Sequence, residues 1–255
     1  MIDVETAARE VEEFLQDYLE ESDAEGYAVG VSGGLDSAVT LKLAVEAVGS
    51  ENVRGLVMPG KPSREENMED ARELCKELDV GFHEIDIEPA VDSFTSSVPF
   101  KPGRVAEGNA RVRTRMVLSY LVANQENLLV LGSSNKTEIM LGYFTKHGDG
   151  AADVKAIADL YKTEVRDLAG ILGLDAKFVE KEPTAGMWEG QTDEDELGYS
   201  YGTIDQVLEL LVEGDRSVEE VLVETGLKRD TVEDIAAMHE NSEHKREPAP
   251  YPELR

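Results

Sequence analysis

Short apolar stretches and longer amphipathic ones take turns through the first two thirds of this chain. The apolar stretches at 27–31, 53–58, 82–87 and 128–132 have strand length and are bounded by turn residues. Between them, a period of three to four predicts helices over 4–20, 37–48, 64–78, 106–125 and 163–172, with Ser63 and Glu66 as a capping box for the third. Residues 92–104, rich in Ser, Pro and Gly, read as a loop, and the last third reads as helical. The Pro-rich end, residues 247–255, reads as a flexible tail. Strands separated by helices imply an α/β fold: a doubly wound parallel sheet with helices on both faces, carrying a helical C-terminal part. Such sheets bind ligands beyond the carboxyl ends of their strands, so the loops after Val31, Met58 and Gly132 are expected to converge.

Length and charge narrow the class. A chain of 255 residues with 41% hydrophobic content can bury a full core, and one domain over 1–255 is expected. No apolar run reaches bilayer length, and the acidic start Ile2-Asp3-Val4-Glu5 leads straight into a helix, so a cytoplasmic protein without membrane contact is expected. Cys75 stands alone inside a predicted helix, which points to packing. Against 25 basic side chains stand 54 acidic ones, spread from end to end, for a net charge of −29. An acidic coat of this density is the pattern expected of a halophilic source, where salt screens the repulsion. Residues 101–166 are the exception, with ten cations against seven acids. Cations retained there point to an anionic ligand in a sheltered cleft, and the surrounding negative field argues against nucleic acid.

The first candidate site is the stretch Gly30-Val31-Ser32-Gly33-Gly34-Leu35-Asp36-Ser37, where a strand breaks at paired glycines and restarts as a helix. Glycines admit backbone angles closed to other residues, the serines add hydroxyls, and the first amides of a helix lack partners, so the stretch is a cradle for phosphate. A Walker loop would follow its glycines with lysine; here Asp36 stands near the helix start, and an acid beside phosphates calls for a metal ion between them. The loop resembles the pyrophosphate-binding loop of the ATP pyrophosphatases.

Three further runs make the resemblance specific. Gly108-Asn109-Ala110-Arg111-Val112-Arg113-Thr114-Arg115-Met116, the run from Leu131 to Asp153 that contains Gly132-Ser133-Ser134-Asn135-Lys136-Thr137-Glu138, and Leu160-Tyr161-Lys162-Thr163-Glu164-Val165-Arg166 resemble signatures of the NAD synthetases. Pro183-Thr184-Ala185-Gly186 and His244-Lys245-Arg246 extend the match, which covers about residues 28–246. The resemblance implies an adenine nucleotide α-hydrolase-like fold and ATP-dependent amidation of deamido-NAD by ammonia, giving NAD, AMP and pyrophosphate through an acyl adenylate. It also implies a homodimer with the dinucleotide near the subunit interface. Glutamine-dependent relatives carry an amidase domain with a nucleophilic cysteine, so free ammonia is the expected nitrogen donor here.

By the same resemblance, Gly30 to Ser37, Ser133, Lys162 and Thr184 would hold ATP, and Asp36 and Glu138 would ligate Mg²⁺. Asp36, Glu138 and Lys162 form the implied catalytic set. Arg113, Lys146, Asp153, His244 and Lys245 would bind deamido-NAD. Other readings stay open: helix capping for Asp36, surface charge for Glu138, a solvent-facing role for His244, and pairing with surface acids for Arg111, Arg115 and Arg166. Ser133 stands where the family often has threonine, Thr184 where serine is common, and Val112 replaces an alanine, so Arg113 is assigned by its spacing to Met116. No base for ammonia is evident beyond a carboxylate-lined pocket near Asp149 or Asp153. The rivals are another ATP pyrophosphatase, such as a GMP-synthase-like domain or a tRNA thiolase, and a non-catalytic ATP-binding module.

Overall fold

The structure, a computed structural model, describes residues 2–184, 186–188, 190–252 and 254. Its first part runs α1 (Val4–Glu21), β1 (Gly26–Gly30), α2 (Leu35–Val48), β2 (Val53–Val57), α3 (Glu65–Glu77), β3 (Gly81–Glu84), α4 (Glu88–Ser97), α5 (Arg104–Glu126) and β4 (Leu128–Gly132). After α6 (Lys136–Leu141) and the two-residue β5 (Val154–Lys155) come α7 (Lys162–Ile171), α8 (Ala176–Glu180), α9 (Asp193–Leu197) and α10 (Tyr201–Leu208). A π-helical turn, Glu209–Glu213, prolongs α10, and α11 (Val218–Thr225), α12 (Arg229–Asn241) and α13 (Glu243–Arg246) follow.

The five strands are parallel in the order β3-β2-β1-β4-β5. Side chains alternate across them as the pleat demands. Tyr27 and Val29 of β1, Val53 and Val57 of β2 and Leu131 of β4 enter a core with α1, α2, α3 and α7, whereas Ala28, Leu56 and Val130 face Ile87, Val91 and Ala123 on the α4–α5 side. The sheet is therefore wound on both faces. A third apolar cluster, with Ile204, Val207, Leu208, Val221, Val232 and Ile235, holds the C-terminal helices together and reaches Met140, Leu141 and Tyr161 at the site.

Strand order reverses between β1 and β4, which opens a crevice at their carboxyl ends. That is where the site sits.

Three local expectations fail. Residues 92–97 are helical: Pro89 is in the first turn of α4, Ile87 and Val91 are buried, and the hydroxyls of Thr95, Ser96 and Ser97 donate to carbonyls three or four positions back. A Ser-rich composition thus conceals a helix whose hydroxyls are absorbed by its own backbone. Ser63 does not cap α3; its hydroxyl accepts from the Gly60 amide at 3.0 Å, closing the turn after β2, and the helix starts at Glu65. The third strand stops at Glu84 rather than running to 87, because Ile87 is already the N-cap of α4. Among the described residues no helix is long and apolar enough to cross a membrane.

Candidate active site

A cavity of about 330 Å³ fills the crevice. Its walls include the loop after β1, Glu138, Lys162, Arg115 and the segment from Lys181 to Thr184. The cradle is built as its glycines require. Gly33 has φ +75°, and the Lys181 ammonium donates to its carbonyl at 2.8 Å. Lys181 is in turn held by Asp70 at 2.5 Å. The Ser37 hydroxyl donates to the Gly34 carbonyl at 3.0 Å and lies 3.1 Å from the Ser32 hydroxyl, pinning the turn. The first intrahelical bond of α2 runs from the Ala38 amide to the Gly34 carbonyl, so the amides of Leu35, Asp36 and Ser37 precede the ladder, with the positive end of the helix behind them. Gly30, Val31, Ser32, Gly34, Leu35, Asp36 and Ser37 all line the cavity; Gly33 shapes it from behind.

The loop after β4 meets this cradle through one buried side chain, Asn135. Its amide nitrogen donates to Asp36 at 3.0 Å while its amide oxygen accepts from the Glu138 backbone at 2.9 Å. It therefore caps α6 and ties the two loops together. Asn135 and Glu138 form a reciprocal capping box, which fixes the Glu138 carboxylate at the mouth of the helix.

Lys162, the first residue of α7, closes the group. Its ammonium bonds Asp36 and lies 3.3 Å from Glu138 and 5.1 Å from the Tyr201 ring centre. Burial works against that charge, but Asp36 and Glu138 more than offset it, so the Lys162 pKa stands above the ordinary lysine value. For Glu138, burial dominates and Asp36 repels, so its pKa is held well above the carboxylate range even though Lys162 pulls the other way. When both acids are ionised, the single Lys162 charge leaves the triad short of positive charge. Among the described residues, no group of three or more His, Cys, Asp or Glu side chains is placed to hold a metal. Two hard carboxylates beside a phosphate cradle do fit a cation such as Mg²⁺, which takes most of its ligands from phosphate and water.

Ser133 and Thr184 also line the cavity, and the Thr184 hydroxyl donates to the Gln191 carbonyl at 2.8 Å. A second cluster joins four of the other expected residues. The Arg113 guanidinium donates to the Lys146 carbonyl at 3.2 Å, the Lys146 ammonium to the His244 carbonyl at 2.5 Å, and the Lys245 ammonium to the carbonyls of Gly142 and Phe144 at 2.6 and 2.9 Å. Among the described residues these cations meet backbone oxygens rather than forming ion pairs, although the Asp149 charge acts on Lys245. Asp153 is placed differently: its carboxylate accepts from the Val130 amide at 2.8 Å and the Tyr120 hydroxyl at 3.2 Å. Of the two acids expected near ammonia, Asp149 lines the cavity and Asp153 does not. Asp149 is open to the cavity yet crowded by protein, and this burial raises its pKa against the pull of neighbouring backbone amides.

Two of the three arginines in doubt part ways. Arg111 is buried and paired with Glu88 at 2.8 Å and with Glu107. Arg115 lines the cavity and, among the described residues, makes no ion pair; its guanidinium donates to the Met58 carbonyl at 3.0 Å, and burial pulls its pKa down to about 10.

Comparison with known proteins identifies the family. The family model described as NAD synthase matches residues 7–249. The chain belongs to the NAD synthase family. A curated member, the NH(3)-dependent NAD(+) synthetase of Thermococcus kodakarensis, is 46% identical over 245 residues, 96% of each chain. Among solved structures, an NMN synthetase from Francisella tularensis superposes with a TM-score of 0.88 at 34% identity, covering 100% of both chains. The NH3-dependent NAD synthetase from Campylobacter jejuni gives 0.84 at 31% identity, over 99% of this chain and 100% of that one. The family's adenine nucleotide α-hydrolase-like fold is the one described above.

Sequence reasoning missed Asn135, Arg115 as a cavity cation, Lys181 and the pair Tyr143 and Asp193, whose hydroxyl and carboxylate meet at 3.1 Å on the cavity wall. A signal existed for the first alone: Asn135 stands three residues before Glu138, the spacing of a capping box.

Proposed function

We propose that this chain is a ligase that joins ammonia to the nicotinate carboxylate of deamido-NAD with ATP as co-substrate, releasing NAD, AMP and pyrophosphate. The observation that carries the reading is the meeting of two loops at the sheet's switch point, cradle and capping box, with Lys162 between Asp36 and Glu138. A carboxylate resists ammonia because it is anionic and lacks a leaving group. Adenylation removes both obstacles, and it demands that two anions be brought together in line.

Each residue then has a task. The amides of Leu35, Asp36 and Ser37, the serine hydroxyls and the Lys162 ammonium receive the pyrophosphate half of ATP, with Ser133 and Thr184 as further hydroxyls. Asp36 and Glu138 would hold Mg²⁺, which supplies charge neutralisation across the phosphates when bound. Arg115, a cation in the cavity wall that makes no ion pair among the described residues, faces the developing negative charge or the nicotinate carboxylate. Arg113, Lys146, His244 and Lys245 receive the dinucleotide, and Asp153 anchors the strand beside them. Asp149, whose burial makes its carboxylate more basic than an ordinary aspartate, is the group suited to collect ammonium and take its proton.

A homodimer fits the surface. Arg113, Val117 and Leu121 recur every fourth residue on α5, and the last two are 62% and 63% exposed. That apolar stripe beside a dinucleotide residue supports a subunit interface next to the second substrate. A cytoplasmic location, where ATP and deamido-NAD meet, goes with this reading.

Purified protein given ATP, Mg²⁺ and ammonium should form AMP, pyrophosphate and NAD in equal amounts only when deamido-NAD is present. Asp36→Asn and Glu138→Gln should abolish this while melting cooperatively. Turnover without any pyridine nucleotide would reject the reading, and formation of NMN from a mononucleotide in preference to NAD would move the activity to the one the Francisella relative is named for. Light scattering should give twice the chain mass.

A further inference from the structure

Asp205 lies on α10, in the C-terminal helical part, yet it bonds to both elements that carry Glu138 and Lys162. It is 5% exposed and both its oxygens are in use. Oδ1 accepts from the Thr137 hydroxyl at 2.5 Å; Oδ2 accepts from the Thr163 amide at 2.9 Å and the Thr163 hydroxyl at 2.8 Å. The Thr137 hydroxyl oxygen in turn accepts from the Lys162 amide at 2.9 Å. Thr137 precedes Glu138, and Thr163 follows Lys162, so one carboxylate holds the starts of α6 and α7 at a fixed separation.

The first amides of α7 are already paired. The Tyr161 amide donates to Glu164 at 2.8 Å, the Lys162 amide to Thr137 and the Thr163 amide to Asp205. Side chains satisfy these amides, so Asp205 does not compete for a phosphate; it fixes the backbone from which the Lys162 side chain springs. One turn earlier on the same face of α10, Tyr201 sets its ring against the Lys162 ammonium and donates its hydroxyl to Asp193 at 2.9 Å. Backbone and head of Lys162 are thus both placed by α10.

We propose that Asp205 is a positioning residue that acts through Lys162, setting where the Lys162 ammonium stands beside Asp36 and Glu138 to meet the triphosphate in the cavity. This rests on reading the cavity as the ATP site. The C-terminal helices then form part of the catalytic apparatus rather than an appendage to the sheet.

The test is a double-mutant cycle on ATP affinity, measured calorimetrically without the second substrate, for wild type, Asp205→Asn, Lys162→Met and the double variant, each checked for cooperative melting. Asp205→Asn keeps the shape and should weaken ATP binding about tenfold in the wild-type background, but less than about twofold once Lys162 is gone, as coupled residues do. An equal loss in both backgrounds, or none in the wild type, overturns the proposal. Should Asp205→Asn not fold, Thr163→Val, which deletes one of the bonds, should cause a loss of about threefold with the same dependence on Lys162, and the same two results overturn it. If the wild type fails to bind ATP, the reading of the cavity falls and the proposal with it; ATP binding without the coupling removes the proposal alone.

Discussion

Replacing Gly33 by alanine should disable the cradle, whereas the same change at Gly34 should not. At Gly33 the backbone is left-handed, φ +75°, and an added Cβ would stand 2.0 Å from the Asn67 carbonyl oxygen at the start of α3. Ordinary contact begins near 3.4 Å, and the obstacle is backbone, so the loop and α3 have to part by more than an ångström. The strained φ alone costs about 1–3 kcal/mol. A displacement of about 1 Å in a catalytic constellation costs about 100-fold in rate. At Gly34, by contrast, φ is −99° and the nearest atom to an added Cβ is the Ser32 hydroxyl at 3.4 Å. Gly33→Ala should therefore lower kcat/KM for ATP about 100-fold and reduce the melting temperature by about 4–8 °C, while Gly34→Ala stays within about threefold of wild type. The assay is pyrophosphate release under saturating ammonium and deamido-NAD, beside thermal melting. Equal behaviour of the two variants would refute the reasoning, because it would mean that the geometry of the loop does not govern its function.

Other expectations follow from the same structure. Arg115→Met removes a half-buried cation that makes no ion pair among the described residues, so stability should hold or rise while kcat/KM falls about 100-fold; a lower melting temperature with intact turnover would assign Arg115 to structure instead. Burial pushes the Cys75 thiol from 9.0 up to about 11, so the unfolded chain releases this proton first as pH rises. Its contribution is complete below pH 9 and disappears as pH passes about 11, a loss of about 3 kcal/mol that Cys75→Ala should remove from melting curves across that window. With a net charge of −29, the melting temperature should rise between low and molar KCl; a flat curve would show that self-repulsion does not limit stability.

What could be read beforehand was local. The cradle announced itself because strand, paired glycines and helix are contiguous, and the buried strands because their apolar runs are continuous. Glu138 was legible as an acid but not as the far end of a capping box that reaches Asp36 through Asn135, since that bond joins residues 99 apart. Arg115 looked like its neighbour Arg111 until the fold gave Glu88 to one of them and the cavity to the other. Residues 92–97 misled because hydroxyls suggest loops unless the backbone absorbs them, and β5, two residues long, carries no periodicity at all.

The most direct measurement follows an oxygen atom. With the nicotinate carboxylate of deamido-NAD labelled with ¹⁸O, adenylation followed by attack of ammonia should leave one labelled oxygen in AMP and none in pyrophosphate. Label in pyrophosphate, or AMP wholly free of it, would contradict the claim that this cavity presents the innermost phosphorus of ATP to the carboxylate.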